Sequence, residues 1–271
     1  MRGGLARAVA ALAVSVTVAT AAPALAQARR VVSLDQCADQ YVLALAPETI
    51  VGLSPRADNP DSWLRARAAG MPRLRASAES LLAARPDVVV RYWGGDARLT
   101  GALTRRGVRV LTIAEAEDLA GVRANVRAVA SGLGRSVRGE ALIAHMDARL
   151  TQARGAWRGR PALYLTPGAF TAGRGTLIDA ALRWVGLRNL AVAAGYQPAP
   201  TERLVLSPPA AVVRGFFDQV RWTRWAPGRA SVLQRAVAGR TVAELPAGLL
   251  GCPAWFVGEA AERLAAGAPR R

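Results

Sequence analysis

Short β-branched runs alternate with helical segments in two separate parts of this chain, and a long stretch without strand character lies between them. In the first part we predict strands over 30–34, 49–53, 88–90 and 108–113, with helices over 35–45, 78–84 and 96–105. In the second part we predict strands at 162–165 and 212–213 and helices at 177–184 and 231–237. Strands and helices that alternate at this spacing indicate parallel sheets with crossover helices.

The middle stretch, residues 119–157, has apolar residues at helical spacing, which Gly132 and Gly134 interrupt. A helix over 136–154 would span roughly 30 Å at 1.5 Å per residue. A helix of that length could bridge two lobes.

Two segments on either side of this helix share their spacing. Glu79 precedes Pro86 by seven residues and Arg91 follows that proline by five, and Glu202, Pro209 and Arg214 repeat the pattern. A short helix that begins with Glu and leads into a strand opened by Pro therefore occurs once in each part. The repeat indicates two similar α/β lobes joined by a rigid helix, although a helix followed by Pro and a strand also recurs by chance in α/β proteins.

The N-terminus has the three parts of a secretory signal peptide. A basic start, an apolar run and Ala24-Leu25-Ala26 favour cleavage after Ala26, with a membrane anchor as the alternative. No later stretch holds 18 apolar residues without a charge, so we expect a soluble, exported and periplasmic protein. Cleavage removes Arg2 and Arg7 and no acidic residue, which changes the net charge from +17 to 17 − 2 = +15.

Composition narrows the classes of function. With 52% hydrophobic residues the chain has enough apolar surface for a sizeable core. The 36 basic residues against 19 acidic ones leave open a basic exported protein that binds polyanions or an anionic membrane surface. The arginines are scattered, however, and the expected export argues against nucleic acid. No catalytic motif is evident, and we predict that the protein is not an enzyme.

The chain resembles the periplasmic substrate-binding proteins of ABC importers for iron–siderophore, haem and cobalamin, the class with a single long helix between its lobes. The matching pieces are RVVSLD (30–35), ESLLAARPDVVV (79–90), LTRRGVRV (103–110), GLRNL (186–190) and ERLVLSPPAAVV (202–213). The resemblance implies two Rossmann-like lobes with parallel sheets joined by one long rigid α-helix. The expected divisions are a signal peptide (1–26), an N-terminal lobe (27–134), the interlobe helix (135–158) and a C-terminal lobe (159–271).

The same resemblance implies what the protein does. It would capture a metal chelate, namely cobalamin, a ferric siderophore or haem, and deliver it as a monomer to an inner-membrane ABC importer permease. No resident cofactor and no protein-ligated metal are expected, because one His and four Tyr are too few for an iron site. His145, in the middle of the long helix, is interpreted as structural.

In this family one Glu on the outer tip of each lobe docks into arginine pockets of the permease, and Glu79 and Glu202 match those positions. Paired Arg–carboxylate contacts at two separated points would fix the orientation of the complex. Each Glu could instead simply occupy the first turn of its helix, where the helix dipole favours a carboxylate.

Ligand-binding residues are expected where strands end, because open α/β sheets bind ligands at the carboxyl ends of their strands. The candidates from both lobes are Asp35, Gln36, Arg56, Trp63, Tyr92, Trp93, Phe170, Arg174 and Trp222. The segment RPDVVVRYWGG (85–95) resembles the cobalamin-binding branch, where a Trp that lines the pocket typically stands at the position of Tyr92. Adjacent strand residues point to opposite faces, so only one of Tyr92 and Trp93 is expected to face the cleft. Several of the tryptophans could equally be core or surface residues.

Cys37 and Cys252, near the two ends of the mature chain, could form a disulfide in an oxidising compartment. Such a bond would tie the lobes together and limit their opening.

Overall fold

Ten strands and ten α-helices occur in the residues that the computed structural model describes, which are 27–219 and 224–269. The predicted signal peptide (1–26) and Trp222 lie outside these residues. The strands are β1 (Val31–Ser33), β2 (Ile50–Gly52), β3 (Val88–Tyr92), β4 (Arg109–Ile113), β5 (Arg160–Leu165), β6 (Phe170–Ala172), β7 (Leu187–Asn189), β8 (Tyr196–Pro198), β9 (Ala211–Gly215) and β10 (Thr241–Leu245). The helices are α1 (Gln36–Leu45), α2 (Ala78–Ala84), α3 (Ala97–Thr104), α4 (Leu119–Gly132), α5 (Ser136–Ala153), α6 (Leu177–Trp184), α7 (Thr201–Leu206), α8 (Ser231–Val237), α9 (Ala247–Leu250) and α10 (Val257–Ala266).

The two main sheets have the same topology. The N-terminal sheet has the order β2-β1-β3-β4 and the C-terminal sheet the order β7-β5-β9-β10, with every neighbouring pair parallel. In each lobe the order is thus second, first, third, fourth, once the separate antiparallel pair β6–β8 is set aside. The predicted fold class, two α/β lobes with parallel sheets, is confirmed.

The repeated sequence pattern falls at the same place in each lobe. Helix α2 leads into β3 and helix α7 leads into β9, and both strands are the third of their sheet. Pro86 and Pro209 each stand two residues before that strand, where a missing N–H costs no ladder hydrogen bond. The repeat is therefore a repeat of structure as well as of spacing.

Local signals account for where the first four helices begin. Asp35, Ser77, Asp96 and Asp118 cap the N-termini of α1 to α4, and each accepts a backbone N–H from the first turn of its helix. The central strand β3 has Val88, Val89 and Val90 fully buried, because helices cover both faces of a parallel sheet.

Helix α5 is the long helix of the middle stretch, and its 18 residues span about 27 Å. It packs against α4 on one side and against α10 on the other. Close packing depends on glycine at both contacts, because a Cβ on Gly139 would lie 2.5 Å from Ala130 Cβ and a Cβ on Gly258 would lie 3.0 Å from the Met146 carbonyl oxygen. The division of the chain at 134/135 and 158/159 stays a prediction.

A second connection runs from the end of the chain back to the N-terminal lobe. The structure joins Cys37 of α1 to Cys252, which follows α9, in a disulfide with a Cα–Cα distance of 5.4 Å. Beside it the buried Tyr41 hydroxyl donates to the Pro253 carbonyl oxygen at 2.6 Å, and the Tyr41 ring meets Trp255 edge-on. The segment 252–256 therefore holds the two lobes together at a point far from α5 in sequence.

A buried carboxylate ties α1 to the strand ends beside it. Asp39 is fully buried and accepts the Ser33 hydroxyl, the Ser54 backbone N–H at 2.9 Å and the Ser54 hydroxyl at 2.6 Å. Burial raises the pKa of Asp39 to about 6, although the serine hydrogen bonds act in the opposite direction.

This raised pKa predicts how stability depends on pH. Because the folded-state pKa lies above the unfolded value of 3.8, Asp39 contributes stability that is present below about pH 4 and lost as the pH rises through 6. The free energy of unfolding of the wild type, minus that of Asp39→Asn, should fall by about 2 kcal/mol between pH 4 and pH 7. Urea unfolding of both proteins across this range measures the difference, and a difference that does not change with pH would contradict the prediction.

Among the helices of the described residues, none combines the length and the apolar character needed to cross a bilayer.

Candidate ligand-binding site

A cavity of about 310 Å³ lies between the two lobes. The N-terminal lobe lines it with Tyr92 at the end of β3 and with residues 115–117 just after β4. The C-terminal lobe contributes residues 175–178 at the start of α6, Tyr196, and Leu245 at the end of β10. Further lining comes from residues 249–253 and from α10. The cavity therefore lies at the carboxyl ends of strands from both sheets, the usual place for a ligand in open α/β folds.

The two lobes contribute different chemistry to this cavity. The C-terminal lobe supplies an apolar wall in which Leu177, Ile178, Leu249 and Val257 take part. The N-terminal lobe supplies two carboxylates and the Tyr92 phenol, and the C-terminal lobe adds the Tyr196 phenol to its apolar wall. An apolar wall with a few polar groups is typical of a cavity that holds an organic ligand.

Tyr92 is a predicted ligand-binding residue that lines the interlobe cavity. Its hydroxyl donates to Glu115 Oε2 at 2.8 Å, and its ring packs edge-on against Trp93 with 6.1 Å between centroids. Burial and the hydrogen bond to Glu115 raise the pKa of Tyr92 above its ordinary value. Burial, together with the charge of Glu115, also raises the pKa of Tyr196 from the other lobe. The two phenols and Glu115 therefore share one environment.

The lobes approach each other closely at one side of the cavity. Gly175 has φ = +72°, and a Cβ there would lie 3.4 Å from Glu117 Oε2. The next residue, Thr176, caps α6 by accepting the Asp179 N–H at 3.1 Å. A carboxylate of the N-terminal lobe thus faces the helix start of the C-terminal lobe, where the helix dipole favours negative charge.

Asp35 acts on the site through Tyr92. Its carboxylate caps α1 by accepting the Ala38 N–H at 2.9 Å and also accepts the Tyr92 N–H at 2.6 Å. Asp35 and Trp93 both line a second pocket on the N-terminal lobe, and Tyr92 belongs to both pockets. Asp35 thereby fixes the backbone from which Tyr92 extends.

Three other predicted residues of the N-terminal lobe are not among the described lining of the interlobe cavity. Gln36 is the first residue of α1. Arg56 lies in a loop and pairs with Asp61 at 3.6 Å. Trp63 packs against Phe256 of the C-terminal lobe, with 6.1 Å between ring centroids, so its burial comes from contact between the lobes.

The predicted residues of the C-terminal lobe lie near the strands β6 and β8. Phe170 is exposed on β6. Arg174 immediately precedes the lining residue Gly175, and its backbone pairs with the chain at 193–195. Neither side chain is part of the described lining of the interlobe cavity.

Glu115, Glu117 and Tyr196 line the cavity and were not predicted from the sequence. The two glutamates follow Ile113, the last residue of β4, so the rule that sites form at the carboxyl ends of strands could have identified them. Tyr196 has no comparable signal, because its short strand β8 belongs to the separate two-stranded sheet that it forms with β6.

Glu79 and Glu202 occupy equivalent positions on the two lobes. Each is exposed in the first turn of its helix, α2 or α7, and neither forms an ion pair with a described residue. A crossover helix runs antiparallel to the strand that follows it, so its N-terminus lies at the edge of the sheet where the strands end. Both carboxylates therefore lie towards the same edge of their sheets as the cavity.

In the part of the chain that the structure describes, no group of three or more His, Cys, Asp or Glu side chains could hold a metal ion. His145 lies on the exposed side of α5 and accepts a hydrogen bond from Arg149 Nε at 3.1 Å.

Comparisons with known proteins agree with this geometry. A family model described as periplasmic binding protein matches residues 31–247. A periplasmic haem-binding protein from Roseiflexus sp. RS-1 is 24% identical with a TM-score of 0.69, and the match covers 88% of this chain and 97% of that one. A periplasmic haem-binding protein from Pseudomonas aeruginosa is 25% identical with a TM-score of 0.65, covering 88% and 92%. The vitamin B12 binding protein of Vibrio cholerae is 18% identical with a TM-score of 0.66, covering 89% and 96%. No curated protein matches the chain.

Proposed function

We propose that this chain, which belongs to the periplasmic binding protein family, captures a metal chelate between its lobes and delivers it to an ABC importer permease. It is a binding protein of the haem, vitamin B12 and siderophore type, in a family of binding proteins rather than enzymes. The chelate is cobalamin, a ferric siderophore or haem. Binding is non-covalent: the lobes close slightly on the ligand, and the long helix and the interlobe disulfide limit the extent of this motion.

The observation that carries this proposal is the interlobe cavity itself. Its lining comes from both lobes and from the carboxyl ends of strands in both sheets. A ligand in such a cavity contacts both lobes at once, so its binding energy favours the closed arrangement over the open one. Tyr92 and Tyr196 supply aromatic faces from opposite lobes, which suits a flat macrocycle or a catechol.

Delivery to the permease would use Glu79 and Glu202. They support this role because they are exposed, occupy the same place in two lobes of equal topology, and form no ion pair with a described residue. Export through a signal peptide cleaved after Ala26 would bring the chain to the periplasm, the compartment of its family. An interlobe disulfide fits an oxidising compartment.

Titration of the purified protein with cyanocobalamin, haemin and a ferric catecholate tests the proposal. We expect saturable one-to-one binding of at least one chelate with a Kd of about 1 μM or tighter. Tyr92→Ala should weaken that binding about tenfold or more by removing the ring that lines the cavity. The control is Val137→Ala, which shortens an exposed side chain on α5. Absence of binding to every chelate of the panel would overturn the proposed function.

A further inference from the structure

We infer that Glu115 and Glu117 make the interlobe cavity select chelates whose polar groups are hydrogen-bond donors, such as carboxamides, over chelates that carry carboxylates or catecholates. This inference rests on the proposed function and narrows its ligand class. The chelate binds in the interlobe cavity, and the two carboxylates determine which class of chelate binds there more tightly.

The sign of the charge in the cavity is opposite to that of the chain. The whole chain has 36 basic residues and 19 acidic ones. Of the described residues that line the cavity, the charged ones are Glu115 and Glu117. A cavity adapted to an anionic chelate would be expected to present arginine, whose planar fork fits carboxylates and phenolates.

The carboxylates retain capacity to accept hydrogen bonds. Glu115 accepts the Tyr92 hydroxyl through Oε2, and no described residue forms an ion pair with Glu115 or Glu117. Both side chains are exposed and therefore hydrated when the cavity holds no ligand. A ligand that displaces this water must replace its hydrogen bonds, because an unsatisfied carboxylate in an enclosed site is costly.

The apolar lining and the Tyr92 hydroxyl both increase the need for a ligand that donates hydrogen bonds to the two carboxylates. Apolar side chains such as Leu177 and Leu249 line the same cavity, and an apolar wall of low polarisability strengthens interactions between charges. The Tyr92 hydroxyl has one hydrogen to donate, so it cannot donate to an anionic ligand without breaking its hydrogen bond to Glu115. Carboxamide N–H groups would satisfy the acidic side of the cavity, whereas carboxylates or catecholates would be repelled by it.

The test compares a chelate rich in carboxamides, dicyanocobinamide, with two anionic ones, haemin and ferric enterobactin. Kd values are measured for the wild type, for Glu115→Gln/Glu117→Gln and for Glu140→Gln. The last variant is the control, because Glu140 is exposed on α5 and pairs with Arg127 away from the cavity. Gln preserves the size of the side chain and removes its charge.

We expect the wild type to bind dicyanocobinamide more tightly than either anionic chelate. In Glu115→Gln/Glu117→Gln the Kd for each anionic chelate divided by the Kd for dicyanocobinamide should fall by about tenfold or more. In Glu140→Gln this ratio should stay unchanged. The inference would be overturned if the wild type bound haemin or ferric enterobactin more tightly than dicyanocobinamide. It would also be overturned if the ratio of Kd values were the same in the double variant as in the wild type. Either result would leave the proposed binding of a chelate unaffected. Failure of all three chelates to bind any of the proteins would count against the proposed function.

Discussion

Replacing Cys37 and Cys252 together with serine is expected to lower the free energy of unfolding by about 4 to 5 kcal/mol. The disulfide closes a chain segment with a sequence separation of 215 residues, and loop entropy for a segment of this length predicts roughly 5 kcal/mol of stabilisation. The bond also joins α1 of one lobe to the segment after α9 of the other. The variant therefore loses a constraint on the unfolded chain and one of the two covalent links between its lobes.

Equilibrium unfolding in urea measures this loss, with the oxidised wild type, the reduced wild type and the double serine variant compared at one pH. Reduction should lower the free energy of unfolding of the wild type to a value close to that of the double serine variant. The reductant should not change the free energy of unfolding of the variant, which therefore serves as the control. A variant that unfolds within 1 kcal/mol of the oxidised wild type would show that the contacts of Tyr41 and Trp255 hold the lobes together without the bond.

Removing both outer glutamates, as Glu79→Ala/Glu202→Ala, is expected to reduce ligand transport about tenfold or more while ligand affinity stays unchanged. A hydrogen-bonded contact to a charged group contributes about 1.5 to 3 kcal/mol, and under the proposed docking this variant loses one such contact on each lobe. In the proposed docking the two carboxylates occupy equivalent positions on lobes of the same topology, so one contact would form on each lobe. Each single variant should transport at an intermediate rate.

Transport is measured with the cognate permease in proteoliposomes, and ligand affinity is measured separately by titration. Asp58→Ala/Glu140→Ala removes the same number of negative charges from exposed ion pairs elsewhere and serves as the matched control. Equal transport by the two double variants would contradict the docking role of Glu79 and Glu202 and would leave each as a first-turn residue favoured by its helix dipole.

Much of the fold follows from local patterns. The valine run at 88–90 lies in β3, as predicted, and the helix predicted over 136–154 ends one residue earlier in the structure. Asp35 caps α1, because a short side chain with an acceptor oxygen before an apolar run is sufficient to start a helix. Such features depend on residues a few positions apart.

Other elements had no local signal. Strands β6 and β8 have three residues each and pair with one another in a separate two-stranded sheet. Neither they nor β10 and α10 in the last part of the chain were predicted. Their conformation depends on partners that are distant in sequence. The same holds for Trp63, an aromatic residue after a strand that packs against Phe256 instead of lining the cavity.

The sequence by itself determined the alternation of elements, the repeat of Glu79 and Glu202, the family resemblance and the position of Tyr92 at a strand end. Only the tertiary structure decided that Tyr92, Glu115, Gly175 and Pro253 line one cavity and that Cys37 lies 5.4 Å in Cα distance from Cys252. The physical reason is the range of the interactions involved. Hydrogen-bonding geometry and hydrophobic periodicity act between near neighbours in the chain, whereas a site between two lobes depends on how helices and sheets formed by distant segments pack together.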